Sequence, residues 1–415
     1  MRARLLIPTL VALLVAQAAH AEPIDDGDLE LSAEELAAIE AALAADAGAA
    51  TTSAAPAPAR RGGGGLQSLN PDISFIADVA LAAFTSDEPL QTGGHDPTAR
   101  GFNLQQLELA VGKAVDPYFR FDANIVFSQY GVEIEEVYAT TLAMPARTQL
   151  RIGQFLTRIG RTNPTHPHTW AFVDQAMPIG RVFGGEGNRG LGIEGSVLLP
   201  LPWYVEVLVS ETMLGGESTG RSWSDATALG VRGPLDLQTT VRLEQFFPLH
   251  HDLSLAWGMS WASGPNGTGR GNRSEVYATD LYLKYRPITS ASHTVVSLTS
   301  EWFYRRQQVP EDVLADVSGF TQVSWKFSKR WGLAARHEVG TPSRDLDGEI
   351  TPDARDPLWT DDRHRVAANV TYWPTEFSRV RLQGSTDFVG WREQPDLAAF
   401  LAFEFNVGAH GAHKF

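Results

Sequence analysis

The stretch 252–263, DLSLAWGMSWAS, decides the fold class because its side chains alternate strictly in character. One face carries large apolar residues, namely Leu253, Leu255, Trp257, Met259 and Trp261, whereas the residues between them are small or polar. A period of two is typical of a β-strand whose two faces meet different surroundings. The same alternation recurs at 119–127, 317–327 and 397–407. From about residue 72 onward the chain is therefore predicted to be all-β.

The connections favour a transmembrane barrel over a soluble sandwich. Short turns near residues 117, 145, 201, 250, 290, 329 and 375 alternate with longer connections at 85–100, 129–131, 157–189, 211–235, 264–274, 307–316, 341–364 and 388–396. This pattern predicts an antiparallel β-barrel of about sixteen strands with both chain ends on the short-turn side. Even strand numbers with short periplasmic turns are typical of bacterial outer-membrane barrels. Aromatic residues beside the short turns, such as Tyr118, Trp203 and Trp331, predict an aromatic girdle at one membrane interface.

The first residues predict export. Arg2 and Arg4 precede an apolar run, and Ala19-His20-Ala21 resembles a cleavage site, so 1–21 is predicted to be a signal peptide. Residues 22–65 are predicted to be an acidic tract with a short helix and an Ala/Pro/Gly linker, and 66–415 are predicted to form the barrel. The expected location is the outer membrane with both termini periplasmic, where outer-membrane lipid and the barrel assembly machinery are partners. A final aromatic residue, Phe415, is typical of such barrels.

The connection 157–189 is unusually long and holds two histidines and four arginines. Long connections without periodicity are commonly functional. We predict that this third long loop folds into the lumen and narrows it; the alternative is a loop on the outer surface.

Two resemblances follow from short motifs. The sequence GQFLTRIG at 153–160 resembles the loop entry of phosphate-selective porin-like proteins, within the bacterial outer-membrane porin superfamily. That resemblance implies a sixteen-stranded homotrimeric channel with an inward third loop. The stretches LPLPWYVE at 199–206, RLEQFFPL at 242–249 and GAHGAHKF at 408–415 also resemble proteins labelled zinc-regulated TonB-dependent outer membrane receptor.

Strand parity and the loop together predict the residues that line the pore. They are Arg120, Asp122, Arg151, Arg158, Arg161, Arg181, Arg242, Glu244, Arg336, Glu338, Arg379 and Arg381. Opposite charges across a narrow lumen select ions, although each arginine could equally neutralise its neighbour and hold the wall together. We expect the loop arginines to form a basic side that faces the acids of the opposite wall.

These features predict a porin that is a passive diffusion channel for small hydrophilic solutes or ions, weakly selective or mildly anion-favouring. The alternatives are a substrate-specific uptake receptor, possibly for a metal, and a structural barrel with an occluded lumen. No nucleophile motif indicates an enzyme, and neither nucleic acid nor a cofactor is expected. The absence of cysteine excludes thiolate metal sites. His166 with His168, and His410 with His413, could pair on zinc, but no metal site is predicted.

Overall fold

The structure is a computed structural model that describes residues 71–128, 131–213, 216–224, 231–289 and 293–408. The predicted signal peptide, the tract 22–65 and the last residues, with His410, His413 and Phe415, lie outside the described residues.

Sixteen strands form a closed antiparallel barrel in which each strand pairs with its neighbours in sequence. Their bounds are β1 Asp72–Phe84, β2 Gly101–Ala114, β3 Phe119–Ser128, β4 Gly131–Thr141, β5 Thr148–Leu156, β6 Arg189–Leu198, β7 Tyr204–Thr212, β8 Gln238–His250, β9 Leu253–Pro265, β10 Arg273–Tyr285, β11 Val295–Val309, β12 Asp312–Lys326, β13 Trp331–Gly340, β14 Arg363–Thr375, β15 Ser378–Val389 and β16 Asp396–Gly408. The helix α1 is Met177–Phe183, and short 3-10 turns lie at Pro145–Arg147, Pro167–Thr169, Arg221–Trp223 and Pro234–Asp236.

The barrel closes between the first and last strands, where Ser74 pairs with Gly408. Closure leaves no open sheet edge, so every strand has two hydrogen-bonded neighbours. The start of β1 and the end of β16 lie together on the short-turn side, as the connection lengths predicted. The predicted sixteen-stranded fold is confirmed.

One connection differs from its prediction. The segment 307–316 was predicted as a longer loop, but β11 continues to Val309 and β12 begins at Asp312. The turn contains Glu311 in the left-handed region, with φ of 68°. Each strand of this hairpin has 15 residues, which makes it one of the longest in the barrel. The polar residues near its turn, predicted as loop, therefore belong to the sheet.

The two faces of the barrel have opposite chemistry. On β13, Leu333 and His337 are exposed on the outside, whereas Arg336 and Glu338 are buried on the inside. Aromatic side chains near the short turns, including Tyr118 and Trp331, are exposed to the surroundings of the barrel. An apolar outer surface with an aromatic end is the surface that a lipid bilayer requires, and it indicates an outer-membrane protein. In the described parts of the chain, no helix is long and apolar enough to cross a membrane.

The third long loop, 157–188, packs inside the barrel as predicted. Ile159, Phe183 and the wall residues Phe303 and Phe320 belong to one buried apolar cluster, together with Trp223 of the fourth long loop. The Phe183 ring lies 5.3 Å from the Phe303 ring, edge to face. A patch of apolar side chains on the lumen face of β11 and β12 therefore holds the loop against the wall.

The apolar outer face of the barrel predicts how much an arginine placed there would destabilise the fold. Val323 is exposed on β12 and pairs with Ala335 in the middle of β13, whereas Val407 is exposed next to the short-turn end of β16. Val323→Arg should cost about 2–4 kcal/mol of folding free energy, because it places a charge in the hydrocarbon, whereas Val407→Arg near the interface should cost about 0–1 kcal/mol. Urea titration in lipid vesicles measures both values. Equal costs at the two positions would contradict this membrane placement.

Candidate functional site: the lumen-crossing loop

The first half of the third long loop crosses the lumen. The backbone N–H groups of Arg161 and Thr162 each donate to Glu301 on β11 at 3.1 Å. Shortly afterwards, His166 Nδ1 lies 3.0 Å from Glu135 Oε2 on β4. β4 and β11 stand seven positions apart in the sixteen-stranded ring, which is almost diametrically opposite. Residues 162–166 therefore span the interior from wall to wall.

The second half of the loop is anchored by one carboxylate. Asp174 accepts from Arg336 at 2.8 Å and from Arg365 at 3.2 Å, and the Gln383 amide donates to it at 2.7 Å. Burial raises the pKa of the Asp174 carboxyl, but the two guanidinium groups outweigh burial and hold that pKa below its usual value. The loop thus presents a carboxylate to a pair of buried arginines on β13 and β14 and neutralises part of their charge.

Backbone carbonyls of the loop satisfy the next two arginines on the same side. Arg379 donates to the Trp170 carbonyl at 3.0 Å and to the His168 carbonyl at 2.9 Å. Arg381 donates to the Phe172 carbonyl at 2.6 Å. Loop carbonyls that lack a sheet partner need such donors when they are buried. The arginine-rich wall of β13 to β15 is therefore hydrogen-bonded directly to the loop.

The loop turns its cationic side chains to the opposite, acidic wall. Arg158 contacts Glu194 on β6 at 2.5 Å and Glu206 on β7 at 3.7 Å, and His168 contacts Glu108 on β2 at 2.9 Å. Burial lowers the pKa of the Arg158 guanidinium, but the charge of Glu194 and its hydrogen bond outweigh burial, so the net shift is upward. Arg158 and His168 thus face wall acids, whereas the carboxylate and the carbonyls that the loop presents to the basic wall were not predicted.

A β-bulge explains why two adjacent glutamates face inward on β4. Asn124 pairs with Glu136 and Ile125 pairs with Ile134, so Glu135 is an extra residue in its strand. A bulge directs neighbouring side chains to one face, and both Glu135 and Glu136 are buried. If the strand alternated strictly, one of the two glutamates would face lipid. Two adjacent acidic residues within a strand are therefore the sequence signal that could have revealed this bulge.

The twelve predicted lining residues fall into two groups. All lie on the lumen face or in the loop, but Arg181, Arg242, Arg336, Glu338 and Arg381 are buried beneath the loop or within ion pairs. The others retain contact with solvent: Arg120, Asp122, Arg151, Arg158, Arg161, Glu244 and Arg379.

Three of the predicted lining arginines contact the acid two residues further along the same strand. Arg120 lies 2.8 Å from Asp122, and Arg242 lies 3.2 Å from Glu244. Arg336 lies 2.7 Å from Glu338. Arg181 instead joins Asp316 at 3.8 Å and stacks on Trp359, with its guanidinium carbon 3.8 Å from the ring centroid. It therefore packs as a core residue and does not line open space.

No family model matches the sequence. An uncharacterized protein of Aquifex aeolicus (strain VF5) is 30% identical over 390 residues, which cover 83% of this chain and 80% of that protein. The present chain belongs to the same family as that protein. The match covers most of both chains.

Solved structures with little sequence identity share the barrel. The outer membrane channel DcaP of Acinetobacter baumannii aligns with a TM-score of 0.52 and 11% identity, over 82% of this chain and 98% of that chain. The anion-selective porin from Comamonas acidovorans aligns with a TM-score of 0.50 and 8% identity, over 81% and 99%. At such low identity the likeness shows a common fold, that of outer-membrane porins. The sixteen strands also differ from the 22 strands of TonB-dependent receptors.

The Asp174 anchor gives a stability prediction. Asp174→Asn keeps the side-chain shape but leaves Arg336 and Arg365 without this carboxylate, and breaking a buried ion pair costs about 3–5 kcal/mol. We expect a lower urea midpoint and protease cleavage within 157–188. Glu349→Gln, at an exposed acid in the seventh long loop, is the matched control and should change neither. A protected loop in the Asp174 variant would contradict this role of the anchor.

The same carboxylate predicts a pH dependence. Because the pKa of Asp174 is lowered on folding, its stabilisation is complete above its unfolded pKa of about 3.9 and is lost as pH falls through the folded value. The stability difference between the wild type and Asp174→Asn should therefore be constant near neutral pH and shrink below about pH 4. Urea midpoints of both proteins between pH 3 and 8 measure it; a difference that grows in acid would be incompatible with a lowered pKa.

Proposed function

We propose that the protein is an outer-membrane channel for passive diffusion of small hydrophilic solutes or ions. The observation that carries the proposal is a set of polar side chains inside the barrel that remain open to solvent around the crossing loop. The Arg120 side chain is 44% exposed, that of Glu244 29% and that of Arg158 26%. Because these groups point inward, the solvent that reaches them lies within the barrel. The outer face of the same strands is apolar.

The loop would set the size limit of such a channel. Every residue from Phe172 to Gly184 is buried, so this half of the loop fills its part of the lumen. Most residues from Arg158 to Ala171 are only partly buried. Solutes would therefore pass beside the first half of the loop, between residues 158–171 and the wall of β3 to β10.

The charges along this route support a mild preference for anions. Arg158 matches Glu194 and Glu206, and Arg242 matches Glu244 and Asp280. Lys284 and Lys326 add positive charge on the lumen face of β10 and β12, and Arg161 covers the ring of Tyr282, with its guanidinium carbon 3.9 Å from the centroid. These five cations stand against the four acids Glu194, Glu206, Glu244 and Asp280, while Glu301 accepts the loop N–H groups of Arg161 and Thr162, so the balance of charge would favour anions weakly.

We extend the proposal to membrane orientation and assembly. The short turns and both chain ends would lie in the periplasm, because longer connections are typical of the outer surface. The porin resemblance implies a homotrimer, and we propose that state here.

Single-channel recording in a planar bilayer under a salt gradient tests the proposal. The wild type should give discrete conductance steps with a small reversal potential of anionic sign. Arg158→Gln with Arg161→Gln should move that potential toward cation preference, because two positive charges are removed, Glu206 loses Arg158 and Glu194 keeps only Arg151. The control Arg232→Gln alters an exposed arginine in the fourth long loop and should leave the potential unchanged.

Adding Glu194→Gln to Arg158→Gln should return the reversal potential toward the wild-type value, because the loss of one negative charge then offsets the loss of one positive charge. A silent bilayer with correctly folded protein would contradict the channel. Unchanged selectivity in the double arginine variant would remove the loop arginines from the conduction path.

A further inference from the structure

A histidine and two glutamates from three separate segments meet at one point inside the barrel. His95 lies in the first long loop, Glu135 on β4, and Glu186 just after α1. His95 Nε2 is 3.1 Å from Glu135 Oε1 and 3.1 Å from Glu186 Oε2. The three atoms all lie within 4.8 Å of one another, and their side chains are only 12%, 7% and 12% exposed.

A hydrogen on His95 Nε2 cannot by itself satisfy both carboxylates well. One imidazole nitrogen carries at most one hydrogen, and it can be directed well at only one of two carboxylates. The two carboxylates also repel each other where water is largely excluded. A divalent cation between the three atoms would neutralise both acids and bind the imidazole nitrogen. Zinc takes nitrogen and oxygen ligands at about 2.0–2.2 Å, which places neighbouring ligand atoms roughly 3.3–3.5 Å apart. The two observed nitrogen–oxygen separations, 3.1 Å each, are close to that spacing.

Two β-bulges build the site. Glu135 is the extra residue of the bulge between β3 and β4. A second bulge lies between β1 and β2, where Asp78 pairs with Gln106 and Val79 pairs with Leu104, so Gln105 is extra. The Gln105 amide donates to the His95 carbonyl at 3.0 Å. Both irregularities therefore converge on His95, as expected where bulges direct side chains to a functional site.

The surroundings position the two carboxylates. Glu135 uses its other oxygen, Oε2, to contact His166 Nδ1 at 3.0 Å, which fixes the orientation of the carboxylate. A Cβ atom at Gly94 would lie 1.8 Å from Glu186 Oε1, so only glycine allows Glu186 this close to the first loop. The Gly94 N–H also donates to the Gly185 carbonyl at 3.0 Å and ties the two loops together.

We propose that His95, Glu135 and Glu186 form a binding site for a divalent transition metal, with Zn²⁺ as the ion that fits one imidazole and two carboxylates. Calcium and magnesium prefer oxygen ligands alone, whereas imidazole suits zinc. Three protein ligands leave a fourth position for water. A bound ion would join the first long loop, the wall at β4 and the third long loop. The proposal does not depend on conductance.

Zinc binding to the purified, detergent-folded full-length protein tests the site. Isothermal titration with ZnCl₂ should show one site in the wild type, weakened at least tenfold in His95→Ala and in Glu186→Gln. Ten millimolar CaCl₂ should not compete. Glu186→Gln keeps the side-chain size and retains an acceptor for His95, so it remains informative where His95→Ala fails to fold. Zinc should also raise the melting temperature of the wild type more than that of either variant.

A matched control uses a pair of neighbouring histidines that lies away from the proposed site. His337 and His364 stack on the outer face of β13 and β14, with 3.4 Å between Nε2 of His337 and Nδ1 of His364. His337→Ala with His364→Ala should retain the tight site. Histidines near the chain end are common to all variants, so they cancel in the comparison. Lack of zinc binding by the wild type, or equal binding by all variants, would overturn the proposal.

Discussion

The interior of this barrel depends on the ion pairs between Asp174 and two arginines of the wall, Arg336 and Arg365. Charged groups can be buried only if they are paired and hydrogen-bonded, because desolvation otherwise costs several kcal/mol per ion. The wall of β13 to β15 concentrates guanidinium groups and the wall of β2 to β8 concentrates carboxylates. Burying either set of like charges without partners would destabilise the fold. The loop supplies partners for both walls, since it presents a carboxylate and backbone carbonyls to the arginines and presents arginine and histidine side chains to the carboxylates.

This arrangement links folding to function. A loop held on both sides by charge-assisted hydrogen bonds occupies a defined position, so it can set the width and the charge of the remaining passage. The same pairs neutralise part of the wall charge on both sides of the loop. The barrel thus combines a rigid outer frame, specified by lipid, with an interior specified by electrostatic matching.

Much of the fold could be predicted from the sequence because the membrane imposes a simple rule on each strand. Alternation at 252–263 indicated the strand period of two, and the number of short turns indicated the number of strands. The inward loop was also predictable from its length and composition. The partners of the loop were not: Asp174 is one acid among many, and its meeting with Arg336 and Arg365 depends on the folded path. Glu135 was not predicted to face the lumen, because the bulge interrupts the period of two that assigns strand residues to a face. His95 was not predicted either, because alternation says nothing about where a loop side chain points.

The central claim, that residues 162–166 cross the lumen, can be tested directly because the chain has no native cysteine. Pro164→Cys places a single thiol at the middle of the crossing, and Glu349→Cys places one in an exposed outer loop. A charged thiol-reactive reagent is added during single-channel recording. We expect a stepwise fall in conductance for the Pro164 variant and no change for the Glu349 variant. Unaltered conductance after verified modification at position 164 would contradict it.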